Sequence, residues 1–252
     1  MSRPPPSSAP QPLSGTRDAL TSIFWNGDAL RSRSVSGTVL SATLDIPAPP
    51  ARLVADWDRE IASQLALEPG DVEPMPLARA RMRWPDYKRC VQAMADWTHA
   101  QGLPGVLAAS DIALMACRGA RYHHDGAQYG SAAFCNLFVS EDRGLDVLFP
   151  YAGQRIPLAR GTALVFDTGQ PHAVVRRGST GFDAADFLPG QDCTQLFLTW
   201  ELPMANAHVA CALRIAFDVD PAAAQQLGEE QVLVNGAPAV LCPSSGRWLP
   251  VG

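Results

Sequence analysis

Apolar residues follow two different periods along this chain. Over residues 50–67, PARLVADWDREIASQLAL, the positions Leu53, Trp57, Ile61 and Leu65 recur in steps of four and predict one face of a helix. Pro85 suits the first turn of a second helix, where its missing N–H is not needed. Tyr87, Cys90, Val91, Met94 and Trp97 supply that helix's apolar stripe, and Gly102 ends it. After residue 104 the period shortens. Apolar runs separated by Gly, Pro and Asp predict strands near 111–117, 120–125, 132–139, 145–149, 154–157, 162–167, 172–177 and 193–202. Strands at that spacing, following two helices, predict a mainly β fold with flanking helices (α+β), a barrel or sandwich braced on one face. Further on, residues 221–227 predict a short helix. Asn235-Gly236 between QVLV and APAVL predicts a hairpin.

Residues 1–15 are rich in Pro and Ser and predict a disordered tail. The remainder, 16–252, reads as one domain: helical support at about 50–102, a β core at about 105–202 and a C-terminal extension over 203–252. At 252 residues and 47% hydrophobic content the chain can bury a substantial core. Its net charge of -5 argues against a nucleic-acid partner, which needs a clustered positive face. Arg79, Arg81 and Arg83 read as a solvated helix face. No apolar run approaches the roughly 18 residues of a membrane span. No apolar segment follows the first residues as a secretory signal would, so a cytoplasmic location is expected. The cysteines, at 90, 117, 135, 193, 211 and 242, form no CxxC pair and read as reduced core thiols.

The candidate chemistry lies in the strand region. RYHHDG contains His123-x-Asp125, and residues two apart on a strand share a face. FDTGQPHAVV brings His172 to the start of a later strand. Two imidazoles and one carboxylate are the ligand set of non-haem iron(II) oxygenases. Three protein ligands on one face leave positions open for cosubstrate and dioxygen. His124 is expected on the opposite face. His99 and His208 read as structural or exposed.

The text between the ligands, GLDVLFPYAGQRIPLARGTALVFDTGQPHAV, together with LMACRGARYHHDG upstream, resembles the prolyl-hydroxylase-like 2-oxoglutarate/iron(II) dioxygenases over roughly residues 110–202. The resemblance implies a double-stranded β-helix (jelly-roll or cupin-like) core. It also implies metal ligation by His123, Asp125 and His172, and hydroxylation coupled to oxidative decarboxylation of 2-oxoglutarate, with dioxygen as cosubstrate. The substrate is left open as a small molecule, an amino acid or a peptide side chain.

The chain departs from that family at the carboxylate anchor. Members of the family hold the second carboxylate of 2-oxoglutarate with an Arg or Lys on the last core strand, and CTQLFLTWEL has neither. Alignment by Trp200 places Thr194 there, and Phe138 stands where an assisting tyrosine often lies. Arg176, four residues after His172, is the expected substitute, since it shares the face of His172. Arg121 is expected to share the face of His123, while Arg118 and Arg177 point outward. Two other readings follow: an iron oxygenase that does not use 2-oxoglutarate, and a non-catalytic β-helix that binds a ligand.

Overall fold

A computed structural model describes residues 18–65, 67–188 and 191–251. The expected disordered tail at 1–15 lies outside them. The chain opens with β1 (Leu20–Asn26), β2 (Ala29–Ser34) and β3 (Val39–Thr43). Then come α1 (Ala51–Glu60), which continues as a π-turn over Ile61–Leu65, β4 (Val72–Met75), α2 (Leu77–Arg83) and α3 (Tyr87–Ala100). The next strands are β5 (Ile112–Cys117), β6 (Ala120–His123), β7 (Ala132–Phe138), β8 (Leu145–Phe149), β9 (Gln154–Leu158), β10 (Thr162–Asp167), β11 (His172–Arg176) and β12 (Gln195–Pro203). The chain closes with α4 (Ala207–Leu213), α5 (Pro221–Gln226), β13 (Gln231–Val234), β14 (Ala237–Leu241) and β15 (Trp248–Pro250).

Strands β5 to β12 build a double-stranded β-helix. One sheet runs β3-β10-β7-β12-β5-β4 and the facing sheet runs β6-β11-β8-β9. The pairings are antiparallel, and β5 to β12 cross between the sheets in the order that winds the chain around a central space. The larger sheet is covered on both faces. On β12, Leu196, Leu198, Trp200 and Leu202 pack with Trp57, Trp84 and Met94 under the helices. Phe197, between them in sequence, turns inward to Phe138, Val147, Leu164 and Val174. Burial on both faces is why this strand reads as an almost unbroken apolar run. Each large apolar side chain so buried contributes about 1.5–3 kcal/mol.

The sequence does not predict β1 to β4, α2, α4 or β15. β1 and β2 hide Ser22, Ser32 and Arg33 at full burial beside Leu20, Ile23 and Phe24, so buried and apolar positions do not coincide and no clean alternation marks them. These strands extend a five-stranded sheet, β15-β14-β13-β1-β2, in which Leu20–Ile23 pair with Gln231–Val234. The C-terminal segment is therefore stitched to the N-terminal strands. Its hairpin turns at Asn235 (φ 52°) and Gly236 (φ 79°), the positive dihedrals of a type I′ turn. Cys90, Cys117, Cys135 and Cys193 are buried thiols as expected, whereas Cys211 is exposed and Cys242 half-buried. Among the described residues no helix is long and apolar enough to cross a membrane.

Candidate metal centre

His123, at the end of β6, and His172, at the start of β11, are direct cross-strand partners. Between them and the next pair, Ala120 and Val174, the register slips, because β6 spends one more residue than β11. This bulge turns Ala120 and His123 both toward the space between the sheets. The rings of His123 and His172 lie 4.2 Å apart. Asp125 follows β6 in a turn. Its N–H donates to the Thr168 carbonyl at 2.8 Å, and its carbonyl accepts from the N–H groups of Gln128 and Tyr129. Its carboxylate comes within 3.9 Å of His123 Nε2 and 3.6 Å of His172 Nε2. One ligand atom from each residue lies within 4.8 Å of the others.

The second nitrogen of each ring is tied down. Nδ1 of His123 lies 2.7 Å from the Arg121 carbonyl, and Nδ1 of His172 lies 3.1 Å from the Gln170 carbonyl. A carbonyl accepts only, so Nδ1 carries the proton and Nε2 is left as a lone-pair donor facing Asp125. Burial, reinforced by the His123 imidazole, holds the His172 pKa well below its ordinary value, so this ring is neutral at pH 7. Burial pushes the Asp125 carboxyl up, partly offset by His123. A divalent cation placed among the three reverses that desolvation penalty.

The two ligand loops are held together from behind. Gly126 and Gly169 touch so closely that a Cβ on Gly126 would sit 2.9 Å from the Gly169 Cα. Arg33, fully buried, donates from Nε to the Gly130 carbonyl at 2.7 Å and from both Nη atoms to Asp167 at 2.7 and 2.9 Å. Asp167 also accepts from the N–H groups of Ser36 and Gly169. One guanidinium thus fastens the loop after Asp125 to the turn before His172.

The three residues sit at the rim of a chamber of about 490 Å³ between the sheets. Phe134, Phe166, Leu164 and Val174 line it, as does the stacked pair Phe138 and Phe197, 5.1 Å apart. Its polar groups besides the ligands are Tyr129, Asn136, Thr199 and Glu201. No Arg or Lys among the described residues lines it.

The structure places Arg176, Thr194 and Arg121 away from where the sequence expects them, and Arg177, His124, His99 and His208 where it does. Arg176 does not reach the chamber. It shares the strand face of His172 but lies four residues on, beyond Val174, where its Nη1 donates to the Arg143 carbonyl at 3.0 Å beside Cys193 Sγ. Thr194 does not reach it either. It shares the parity of Trp200, and Trp200 faces the helices, so Thr194 lies on that outer side near Asp58 and Ile61. Thr199 is the β12 threonine that turns inward. Arg121 does not share the face of His123, because the bulge intervenes. It lies over the Phe182 ring instead. Arg177 points outward to Asp142 and Asp146, and Arg118 donates to the carbonyls of Leu67, Phe187 and Leu188. His124 turns away from the ligands onto Trp248, and His99 and His208 are exposed. Sequence reasoning missed Tyr129, Glu201, Arg33 and Asp167. Asn136, a polar residue inside the apolar run AFCNLF, was the one visible signal.

No family model matches the chain, and no curated protein matches it. Among solved structures it is similar to a prolyl-4-hydroxylase of Pseudomonas putida, at 18% identity and a TM-score of 0.38 over 67% of this chain and 93% of the other. It is also similar to the viral collagen prolyl hydroxylase of Paramecium Bursaria Chlorella virus-1, at 7% identity and a TM-score of 0.37 over 66% and 94%. A third is the non-haem α-ketoglutarate-dependent epimerase of nogalamycin biosynthesis, at 13% identity and a TM-score of 0.33 over 67% and 78%. By its own topology the chain is a double-stranded β-helix, and its site is a two-histidine, one-carboxylate cluster opening on an apolar chamber.

Proposed function

We propose that this protein is a non-haem iron(II) oxygenase that oxidises a small, largely apolar molecule, with His123, Asp125 and His172 as the metal ligands. The observation that carries the reading is the convergence of two imidazole Nε2 atoms and one carboxylate at the wall of a chamber. This donor set fits iron(II): nitrogen and oxygen ligands on one face, no thiolate among them, and second nitrogens already engaged. Iron bound there supplies the activation of dioxygen. The chain itself orients the ligands through Arg33 and Asp167. Its aromatic walls hold an apolar substrate beside the metal and keep water from it.

The cosubstrate implied by the resemblance, 2-oxoglutarate, fits less well. Its second carboxylate would be buried in a chamber whose described lining holds no Arg or Lys but does hold Asp125 and Glu201. A buried carboxylate without a cation loses several kcal/mol of hydration that neutral donors only partly return. That observation favours the second reading, an iron oxygenase with another cosubstrate. The test is anaerobic titration with iron(II), followed by oxygen uptake with and without 2-oxoglutarate. Stoichiometric binding in the parent protein, lost in His123→Ala and His172→Ala, supports the metal centre. Equal, weak binding in all three refutes it.

A further inference from the structure

We infer that the chamber is built for a metal-bound ligand whose far end is uncharged and hydrogen-bonding, an amide or a hydroxyl on an otherwise apolar molecule, and that it selects against a second carboxylate. The inference rests on the proposed metal centre and names the class of molecule that centre receives.

Asn136 is the starting point. It stands on β7 with only 8% of its surface exposed, and its Oδ1 is buried with no hydrogen-bond partner among the described residues. Its neighbours across the sheet are Leu164 on β10 and Thr199 on β12, so the three form a row on the chamber wall. Phe134 and Phe138, two residues to either side on the same strand, also line the chamber. A lone amide in an aromatic wall is costly unless something bonds to it. The neighbouring Thr199 hydroxyl can donate and accept. Together the two side chains match a ligand group that does both, as an amide or a hydroxyl does.

Charge points the same way. Of the described residues lining the chamber, Asp125 and Glu201 are acids and none is a base other than the two ligand histidines. A divalent metal offsets those two acids. A chelating head with one negative charge is then tolerated, whereas a second carboxylate at the Asn136 end would meet only neutral donors. Charge-assisted hydrogen bonds are roughly twice as strong as neutral ones, and the chamber provides no cation to make them. Arg176, on the strand face of His172, is held beyond Val174 by the Arg143 carbonyl.

The test compares two probes that share one chelating head and one length. N-oxalylglycine ends in a carboxylate and N-oxalylglycinamide in an amide. Each is titrated calorimetrically into the manganese(II)-loaded full chain, after manganese affinity has been measured alone. The expected result is at least tenfold tighter binding of the amide. In Asn136→Leu and Thr199→Val that preference falls below threefold. Equal or tighter binding of N-oxalylglycine overturns the inference, as does a tenfold amide preference retained in both variants. Binding of neither probe to metal-loaded protein also overturns it. The comparison in the parent protein decides the matter even if a variant does not fold. Failure to bind manganese at all would count against the proposed function, whereas tight manganese binding with a carboxylate preference would overturn this inference alone.

Discussion

Replacing Arg33 by methionine separates the support of the site from the site itself. The substitution keeps most of the side-chain volume and removes every N–H that the guanidinium donates: one to Gly130, two to Asp167 and one to the Ser34 carbonyl. Asp167 is left fully buried with only the N–H groups of Ser36 and Gly169. A buried ion pair contributes little relative to an apolar pair, but breaking one half of it costs about 3–5 kcal/mol. Against a total stability of about 5–15 kcal/mol, this is a large fraction. For a domain of this size it corresponds to a fall in Tm of about 6–20 °C. The loops it joins carry Asp125 and His172, so metal affinity should fall as well, by about 10–100-fold, the usual cost of losing support behind metal ligands. Thermal unfolding followed by circular dichroism gives the first number, and manganese(II) titration well below the new midpoint gives the second. A loss of stability with unchanged metal affinity would show that the pair holds the fold and not the ligands. A change in Tm of less than about 2 °C would refute the burial argument altogether.

Three further outcomes are expected. His124→Ala should keep metal affinity within about threefold while His123→Ala loses it, since His124 packs on Trp248 and not toward Asp125; anaerobic iron titration of the pair gives the answer, and reversed behaviour would mean the bulge in β6 is placed wrongly. Burial holds His172 well below its ordinary pKa and His124 at about 4, against 6.5 in an unfolded chain. Stability from these neutral rings is therefore complete above pH 6.5 and is lost as the pH falls toward 4, because the unfolded chain takes up protons that the folded one refuses; the metal-free Tm should decline across that window, and a flat profile would contradict it. Hydroxyls of Ser244 and Ser245 lower the Cys242 thiol to about 6, while burial raises Cys90 to about 11 and Cys117 to about 12. Alkylation read by mass spectrometry at pH 7 should label Cys242 in the folded protein and leave Cys90 and Cys117 untouched, and labelling of those two first would overturn the assignment.

The strands from 112 to 203 were legible because each is a short apolar run bounded by Gly, Pro or Asp, and they bury both faces or one face cleanly. β1 and β2 were not, because their inner positions include Ser22, Ser32 and Arg33 among the apolar ones, and the burial of those three depends on partners far away in the sequence. The position of the ligands was legible from HxD and the later His. The faces of their neighbours were only partly so. Alternation by two assumes a regular strand, and the extra residue between Ala120 and His123 breaks it. The same alternation would have removed Thr194 had the outward packing of Trp200 been known, since the two share parity.

The absence of Arg and Lys from the chamber's described lining follows from where the barrel's arginines spend their hydrogen bonds. Arg33 is committed to Asp167, Arg155 and Arg177 share Asp146, and Arg143 pairs with Asp192. Arg160 pairs with Glu141 and also donates to the Ile46 carbonyl. Arg176 and Arg118 donate to main-chain carbonyls. None of these groups can turn inward without abandoning a carboxylate or a carbonyl, and for Asp146 and Asp167 the abandoned partner is almost fully buried. Recruiting one of them to a dicarboxylate would therefore cost a buried bond for each one gained. A new cation placed in the row of Leu164, Asn136 and Thr199 avoids that exchange. An Asn136→Lys variant that came to prefer N-oxalylglycine would show that charge in this row, more than the shape of the barrel, decides which ligand the centre receives.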